Sequence, residues 1–363
     1  MLDFRPNEEQ KMLAETISRY SRERVRKVFR DAEEEGDIPE AVIKAGWEIG
    51  LLPAALPEEY GGFGDYSAVT GALAFEEFAW GDLAVTLEVM TPNLVAIPLL
   101  LCGTDEQKAQ FLPRFCEETP PKMTAALTEP AVQFSPYKLR TTAVRDGDAY
   151  VLSGTKTFVP QANDAEYILI YAAEGGRTQA FLVPAGAEGL TVGGRNKLMG
   201  IHSLPAYLVT LDKVRVPAAN KLGGENGIDF SLILNHSRVA LGAAAVGMAR
   251  AGFEYARDYA KERVQFGEPI AHRQSIAFML ADMATEVDEA RLLVWEAAWK
   301  LDQGHDATPD ATIMKQQVDR MVMQVADRAV QILGGYGYIR EYPVELWLRN
   351  ARGFATFDGL AIV

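Results

Sequence analysis

The sequence predicts a mostly helical α+β protein in which a β-barrel or sandwich lies between two helical segments. Three observations lead there: helical periodicity from Pro6 to about Glu118, alternating β-rich runs from about Lys122 to Gly223, and a return to long Ala-rich helical patterns from Asn226 onward. The domains are accordingly expected at residues 1–121, 122–225 and 226–363. An apolar fraction of 48% in 363 residues is ample for a globular core.

In the first segment, EEQKMLAETISRYSRERVRKVF places Met12, Leu13, Ile17, Tyr20, Val25 and Val28 close to a 3.6-residue period. Breaks at Gly36 to Pro39, Pro57 to Gly64 and Pro92 divide the remainder into further helices. In the second, KLRTTAVRDGDAYVLSGTKTFVPQANDAEYILIYAA holds two β-rich runs with Asp-Gly and Ser-Gly turn signals between them. QAFLVPA, LTVGG and AYLVTLDKVRVP continue the rhythm of a small barrel or sandwich. The third segment opens with RVALGAAAVGMARAGFEYARDYAKERV, so rich in Ala and Gly that its neighbours must pack very closely. ADMATEVDEARLLVWEAAWKL and ATIMKQQVDRMVMQVADRAVQIL complete a helical bundle.

Composition excludes several classes. A net charge of −14 argues against a nucleic-acid surface, which needs clustered cations, although a nucleotide ligand needs only a local basic pocket. Cys102 and Cys116 are too few for a disulfide framework and read as reduced, buried thiols. No run of eighteen apolar residues points to a membrane span. The opening MLDFRPNEEQKMLAE is charged and helical, unlike a secretory or transit leader, so a cytoplasmic location is expected. His202, His236, His272 and His305 show no i, i+3 or i, i+4 pairing, and no metal is expected. The five tryptophans, Trp47, Trp80, Trp295, Trp299 and Trp347, read as core, and the acidic run Asp31 to Glu35 as a solvated face.

Two stretches carry chemistry. In KERVQFGEPIAHRQ, Lys261 to Gln274, a long helix ends on Arg263, breaks at Phe266-Gly267 and restarts at Gln274. The segment offers a rigid fork of donors suited to a pyrophosphate, an aromatic edge and an amide. In QILGGYGYIREYP, Gln331 to Pro343, the glycines Gly334, Gly335 and Gly337 let backbone approach a nucleotide without Cβ obstruction. Singly, such an Arg would be read as a helix C-terminal charge and such a Gly-Gly as a cap. In this order and spacing they resemble the flavin-binding signature of the acyl-CoA dehydrogenases, and the resemblance runs from about Phe4 to Ile362. PEEYGGFGDYS and CGTDEQKAQFLPRF resemble the family's early loop and the helix leading into its middle domain.

The resemblance implies helical, β-barrel and four-helix-bundle domains, FAD as cofactor, an acyl-CoA substrate, an electron-transfer flavoprotein as partner and a homotetramer built as a dimer of dimers. ALTEP, with Leu127 and Thr128, matches the family's flavin-contacting strand end, and GTKTFVP, with Phe158 and Val159, matches the strand along the flavin ring. Arg263, Phe266, Gln274, Gly334 and Gly335, with Gln331 beside them, would reach the FAD of a neighbouring subunit. The family removes a proton from the α carbon and a hydride from the β carbon of a thioester. The base must reach the α carbon, and hydrogen bonds must hold the thioester carbonyl. Where the family usually carries a tyrosine-Glu-Gly-Thr base motif, this chain has Phe357, Asp358, Gly359 and Leu360. Asp358 is therefore the expected base, its own N–H one of the carbonyl donors, with Phe134, Arg238 and Gly359 as substrate-contacting residues. The plain alternative is an aspartate in an Asp-Gly turn.

Asp is shorter than Glu by one methylene, roughly 1.5 Å of reach. A misplacement of about 1 Å can cost on the order of a hundredfold in rate. Some relatives carry a Glu immediately before the Arg that corresponds to Arg238, but here Ser237 stands there. Gln133, Phe134 and Ser135 replace the family's glycine-serine-Asp, Pro160 replaces a threonine near the flavin, and Leu360 replaces the threonine after the base. The sequence ends at Val363 before the family's terminal helix, from which a lower FAD affinity is expected. A ring-containing or α-branched acyl group is the expected substrate. A weakly catalytic subunit of a hetero-oligomer and a nitroalkane-type flavin oxidase are the alternatives, and bound flavin in the chain expressed alone would separate the first of these from an enzyme.

Overall fold

The computed structural model describes residues 5–363; the first four, including Phe4 where the resemblance begins, lie outside the described residues. Helix α1 (Glu8–Tyr20) opens on Asn7, whose side chain accepts the Gln10 N–H while the Gln10 side chain accepts the Asn7 N–H. This reciprocal cap satisfies two otherwise free donors. A π-helical turn at Ser21–Val25 joins it to α2 (Arg26–Glu35). The turn interrupts the expected 3.6-residue stripe: Ser21 is buried and donates to the Glu77 carbonyl, whereas Met12 is 68% exposed. α3 (Glu40–Trp47), α4 (Leu51–Ala54), α5 (Ala68–Gly81), α6 (Leu83–Val89), α7 (Asn93–Cys102) and α8 (Asp105–Phe111) follow, divided at the glycine and proline breaks.

The acidic run is not wholly a solvated face. Glu33 is buried, paired with Arg349 at 2.9 Å and accepting the Ser203 N–H, so it ties α2 to the other two segments. Both cysteines are free and half-buried. Of the tryptophans, Trp347 alone is buried, and the other four are half-buried.

Seven strands form the middle segment: β1 (Met123–Ala126), β2 (Thr142–Asp146), β3 (Ala149–Pro160), β4 (Tyr167–Glu174), β5 (Arg177–Pro184), β6 (Leu190–Arg195) and β7 (Ala206–Pro217). β4 lies between β1, parallel, and β5, antiparallel; β2, β3, β7 and β6 run antiparallel in that order. The two groups meet where Thr142 pairs with Ala173 and enclose one apolar core that includes Leu152, Val159, Ile170, Phe181, Val183 and Val209. Gly147-Asp148, directly after Asp146, makes the turn expected between β2 and β3, but Ser153-Gly154 does not turn. It is a bulge inside β3, where a Cβ on Gly154 would lie 2.5 Å from the Thr141 hydroxyl.

The last segment contributes α9 (Phe230–Glu262), α10 (Gln274–Asp302), α11 (Thr308–Leu333) and the short α12 (Val344–Ala351). A hairpin of β8 (Val264–Gln265) and β9 (Glu268–Pro269) interrupts α9 and α10, its turn made by Phe266 and Gly267, both at positive φ. α5 packs into this bundle alongside α9 and α10. The Ala/Gly-rich sequence of α9 permits it: a Cβ on Gly247 would lie 2.1 Å from the Glu76 carbonyl of α5, and one on Gly242 2.5 Å from the Met314 sulfur of α11. Glu76, buried in α5, is held by Arg250 of α9 and Arg291 of α10 at 2.9 and 3.1 Å. α9 is long and apolar enough to cross a membrane, yet 89% of its apolar window is buried inside the bundle. The largest apolar cluster joins the first and last segments, and a second joins α7, β1, β4 and the start of α9. The three sequence segments therefore share cores.

Candidate active site

Asp358 follows a 3-10 turn (Phe354–Thr356) that leaves α12. The turn is held by close packing: a Cβ on Gly353 would lie 2.2 Å from the Phe357 ring. Next, the Asp358 carbonyl accepts the Thr128 hydroxyl at 3.1 Å, and the Gly359 N–H donates to the Ser237 hydroxyl at 3.2 Å. Gly359 has φ +73° with Leu127 pressed against its α carbon, a position suited to glycine. These contacts pin the loop between the end of β1 and helix α9.

The Asp358 carboxylate is 21% exposed, and its Oδ1 is buried without a hydrogen-bond partner. Arg238 Nε stands 3.8 Å away and is also unpartnered, because the guanidinium donates instead to the Thr312 hydroxyl at 3.1 Å. Burial pushes the Asp358 carboxyl above its ordinary range, opposed by the nearby charges of Lys315 and Arg238. Among the described residues its N–H meets no protein acceptor. A buried acceptor and a free donor thus sit on one residue, and its neighbour Gly359 lines a narrow apolar cavity with Leu127, Tyr171, Phe230, Ile233 and Ser237. Phe134 packs against the same apolar cluster.

On the sheet side the predicted flavin-contacting residues divide. Leu127 and Thr128 lie at the strand end against Gly359 and Asp358. A bulge between Lys156 and Val159 gives Phe158 a φ of +54° and turns its ring onto the helical core, while Val159 points into the sheet core. For Val159 only main chain is available to a ligand. Phe158, a non-glycine residue held at φ +54°, stores about 1–3 kcal/mol, a strain that surrounding structure must enforce. The Phe158 N–H donates to Asn196 at 3.2 Å. Beneath, Lys156 is fully buried and donates to Glu129 and to the Leu127 carbonyl, each at 3.0 Å. Glu129 also accepts the Arg140 and Thr141 N–H groups at 2.8 Å, which with Lys156 outweigh its burial and keep it ionised.

The third group lies on the surface. Arg263, Gly334 and Gly335 share a cleft of about 380 Å³ with Tyr259, Gln265 and Tyr336. The Arg263 guanidinium stacks over Tyr336 at 5.2 Å. A Cβ on Gly334 or Gly335 would project into open space, and Gly334 has φ 58° with ψ −130°, accessible essentially to glycine alone. Cation, aromatic face and Cβ-free backbone fit a pyrophosphate with an attached ring, as FAD carries. Gly337 departs from expectation: it is buried, and a Cβ there would lie 2.3 Å from the Val330 carbonyl, so it serves packing. Phe266, Gln274 and Gln331 are exposed within this protomer, Phe266 at 94% and nearby Tyr338 at 88%.

The helical bundle thus meets the sheet at the Asp358 loop, and the surface cleft at Arg263 fits a dinucleotide such as FAD. The acyl-CoA dehydrogenase family models match the chain in order: N-terminal domain over residues 7–119, middle domain over 124–214 and C-terminal domain over 229–361. The chain is 35% identical to cyclohexane-1-carbonyl-CoA dehydrogenase of Geobacter metallireducens, over 98% of this chain and 95% of that one. It is 34% identical to the caffeyl-CoA reductase-Etf complex subunit CarC of Acetobacterium woodii, over 98% and 96%. It superposes on butyryl-CoA dehydrogenase from Megasphaera elsdenii with a TM-score of 0.90 and 32% identity, covering 99% of this chain and 96% of that one. This chain belongs to the acyl-CoA dehydrogenase family, FAD-carrying oxidoreductases that act on a CH–CH bond.

Sequence reasoning missed Lys315, Asp319, Glu129 and Lys156, and gave Ser237 no role. Lys315 and Asp319 fall at i, i+4 on a polar-looking helix face, and Lys156 sits in a strand pattern. Nothing local distinguishes them from solvated charges.

Proposed function

We propose that this protein oxidises a ring-containing or α-branched acyl-CoA thioester, with Asp358 as the base that removes the α proton and an electron-transfer flavoprotein as the electron acceptor. The carrying observation is the buried, unpartnered Oδ1 of Asp358, one residue before the Gly359 that lines the apolar cavity. FAD, when bound, would supply the hydride-accepting ring. Phe158, Thr128 and Leu127 would flank it, and Arg263, Gly334 and Gly335 would hold a neighbouring subunit's pyrophosphate in a dimer of dimers. The Asp358 N–H would donate to the thioester carbonyl, stabilising charge that develops as the α proton leaves. A bulky acyl group suits the shorter base because its α carbon would ride closer to Asp358. Similarity to a dehydrogenase of cyclohexane-1-carbonyl-CoA supports that choice, and similarity to a subunit of an Etf complex supports the electron acceptor.

The test is anaerobic bleaching of the bound flavin by straight, branched, alicyclic and aromatic acyl-CoAs. Cyclic or α-branched thioesters should bleach faster than butyryl- or octanoyl-CoA, and Asp358→Asn should bind them while bleaching slows by several orders of magnitude. Straight chains reacting faster than every bulky thioester would end the substrate assignment, and near-parent bleaching by the Asn variant would end the base assignment.

A further inference from the structure

Behind the candidate base lies a charged group that the reaction scheme does not use. Lys315 and Asp319, one turn apart on α11, are paired at 2.7 and 2.8 Å through both carboxylate oxygens. The same ammonium donates to the Phe354 carbonyl at 2.7 Å, four residues before Asp358. Lys315 is therefore committed to three acceptors on two elements, and none of them is Asp358. The Asp358 Oδ1 remains without a donor although two cations are close enough to act on its charge.

Resting on the reading of Asp358 as the base, we propose that Asp319 is a positioning residue: its ion pair anchors Lys315 at the Phe354 carbonyl and keeps that ammonium from closing onto the Asp358 carboxylate. An ammonium bonded directly to Asp358 would stabilise its charged form and make it a poor proton acceptor. Holding the cation at the Phe354 carbonyl fixes the loop and leaves the carboxylate basic.

The charges facing Asp358 are few. Arg238 reaches it from α9 and is held back by Thr312; Lys315 and Asp319 face it from α11. On the sheet side Lys156 and Glu129 neutralise each other at 3.0 Å, and Thr128 contributes only a hydroxyl. Burial raises the Asp319 carboxyl, with Asp358 repulsion adding to it and Lys315 and Arg238 opposing. The two carboxylates thus act on one another while Lys315 serves one of them directly.

The experiment reads the Asp358 carboxyl itself, by infrared difference spectra of the holoenzyme minus its Asp358→Asn variant at stepped pH. The parent carbonyl-stretch band should titrate above the ordinary carboxylate range. In Asp319→Asn, with its own Asp358→Asn control, Lys315 is freed and a repelling charge is lost, so the midpoint should fall by about one unit or more. Asp319→Glu should keep a midpoint near the parent's. Lys315→Met should speed amide hydrogen exchange across residues 354–359, reporting the lost tether at the Phe354 carbonyl. An unchanged midpoint in Asp319→Asn, or equal falls in the Asn and Glu variants, overturns the proposal. Failure of the base reading shows separately, as continued bleaching of Asp358→Asn by cyclohexane-1-carbonyl-CoA.

Discussion

The surroundings of Asp358 and the surface around Phe266 show opposite degrees of closure. Near Asp358 the polar groups lie under cover, some satisfied within the chain and some not: Lys156 is fully buried on Glu129 and Gly359 is bonded to Ser237, while the Asp358 Oδ1 and Arg238 Nε lack partners. Around Phe266 the aromatic rings face solvent, and the glycine turn opens into an uncovered cleft. A site closed by its own chain is preorganised at the expense of folding stability. A site left open costs folding little and depends on what covers it.

That contrast can be broken first at Lys156. Lys156→Met leaves Glu129 buried without its cation, and loss of about 3–5 kcal/mol in denaturant unfolding is expected. A loss below about 1 kcal/mol would show that the two main-chain N–H groups on Glu129 suffice, and that the closed site is less costly than its burial suggests.

A smaller effect should separate interior charge that positions a loop from interior charge that does not. Glu88 in α6 has a buried Oε2 with no partner, and burial, with Asp37 adding and Arg195 opposing, pushes it to about 8 from 4.5. The folded chain therefore holds the proton where the unfolded chain has released it. Stability is full below about 4.5 and declines as pH rises toward about 8. Glu88→Gln should match the parent near pH 4 and exceed it at pH 9 by on the order of 1–3 kcal/mol. Parallel stability curves for parent and variant across that range would contradict the account.

The least effect on folding is expected at the open surface. Phe266→Ser should change protomer stability by no more than about 0.5 kcal/mol, yet lower retained FAD and oligomer mass together in size-exclusion chromatography with light scattering. If the variant keeps both, the exposed ring is not part of a shared cofactor site.

Much of this could be read in advance. The helix end at Arg263 and the turn at Gly334-Gly335 were legible because both are local, constrained by φ and by residue type. The cofactor role expected of them, like the base role expected of Asp358, came only through resemblance, since alone they read as a helix-end charge, a cap and an Asp-Gly turn. Gly337 and Ser153-Gly154 misled for the converse reason: glycine marks a need for space or for an unusual φ, but not what fills the space. In one case that is the Val330 carbonyl and in the other Thr141 across a bulge.

By itself the sequence determined the order of helices, sheet and helices, the helix break at Phe266-Gly267, and the close packing of α9, because periodicity, turn chemistry and residue size act over a few neighbours. Only the tertiary structure decided that α5 completes the bundle, that Glu33 is an interior ion-pair partner, and that Lys315 and Asp319 stand behind Asp358. Electrostatic environment depends on which distant elements exclude water around a charge, and α11 and the loop after α12 meet only when the chain is folded.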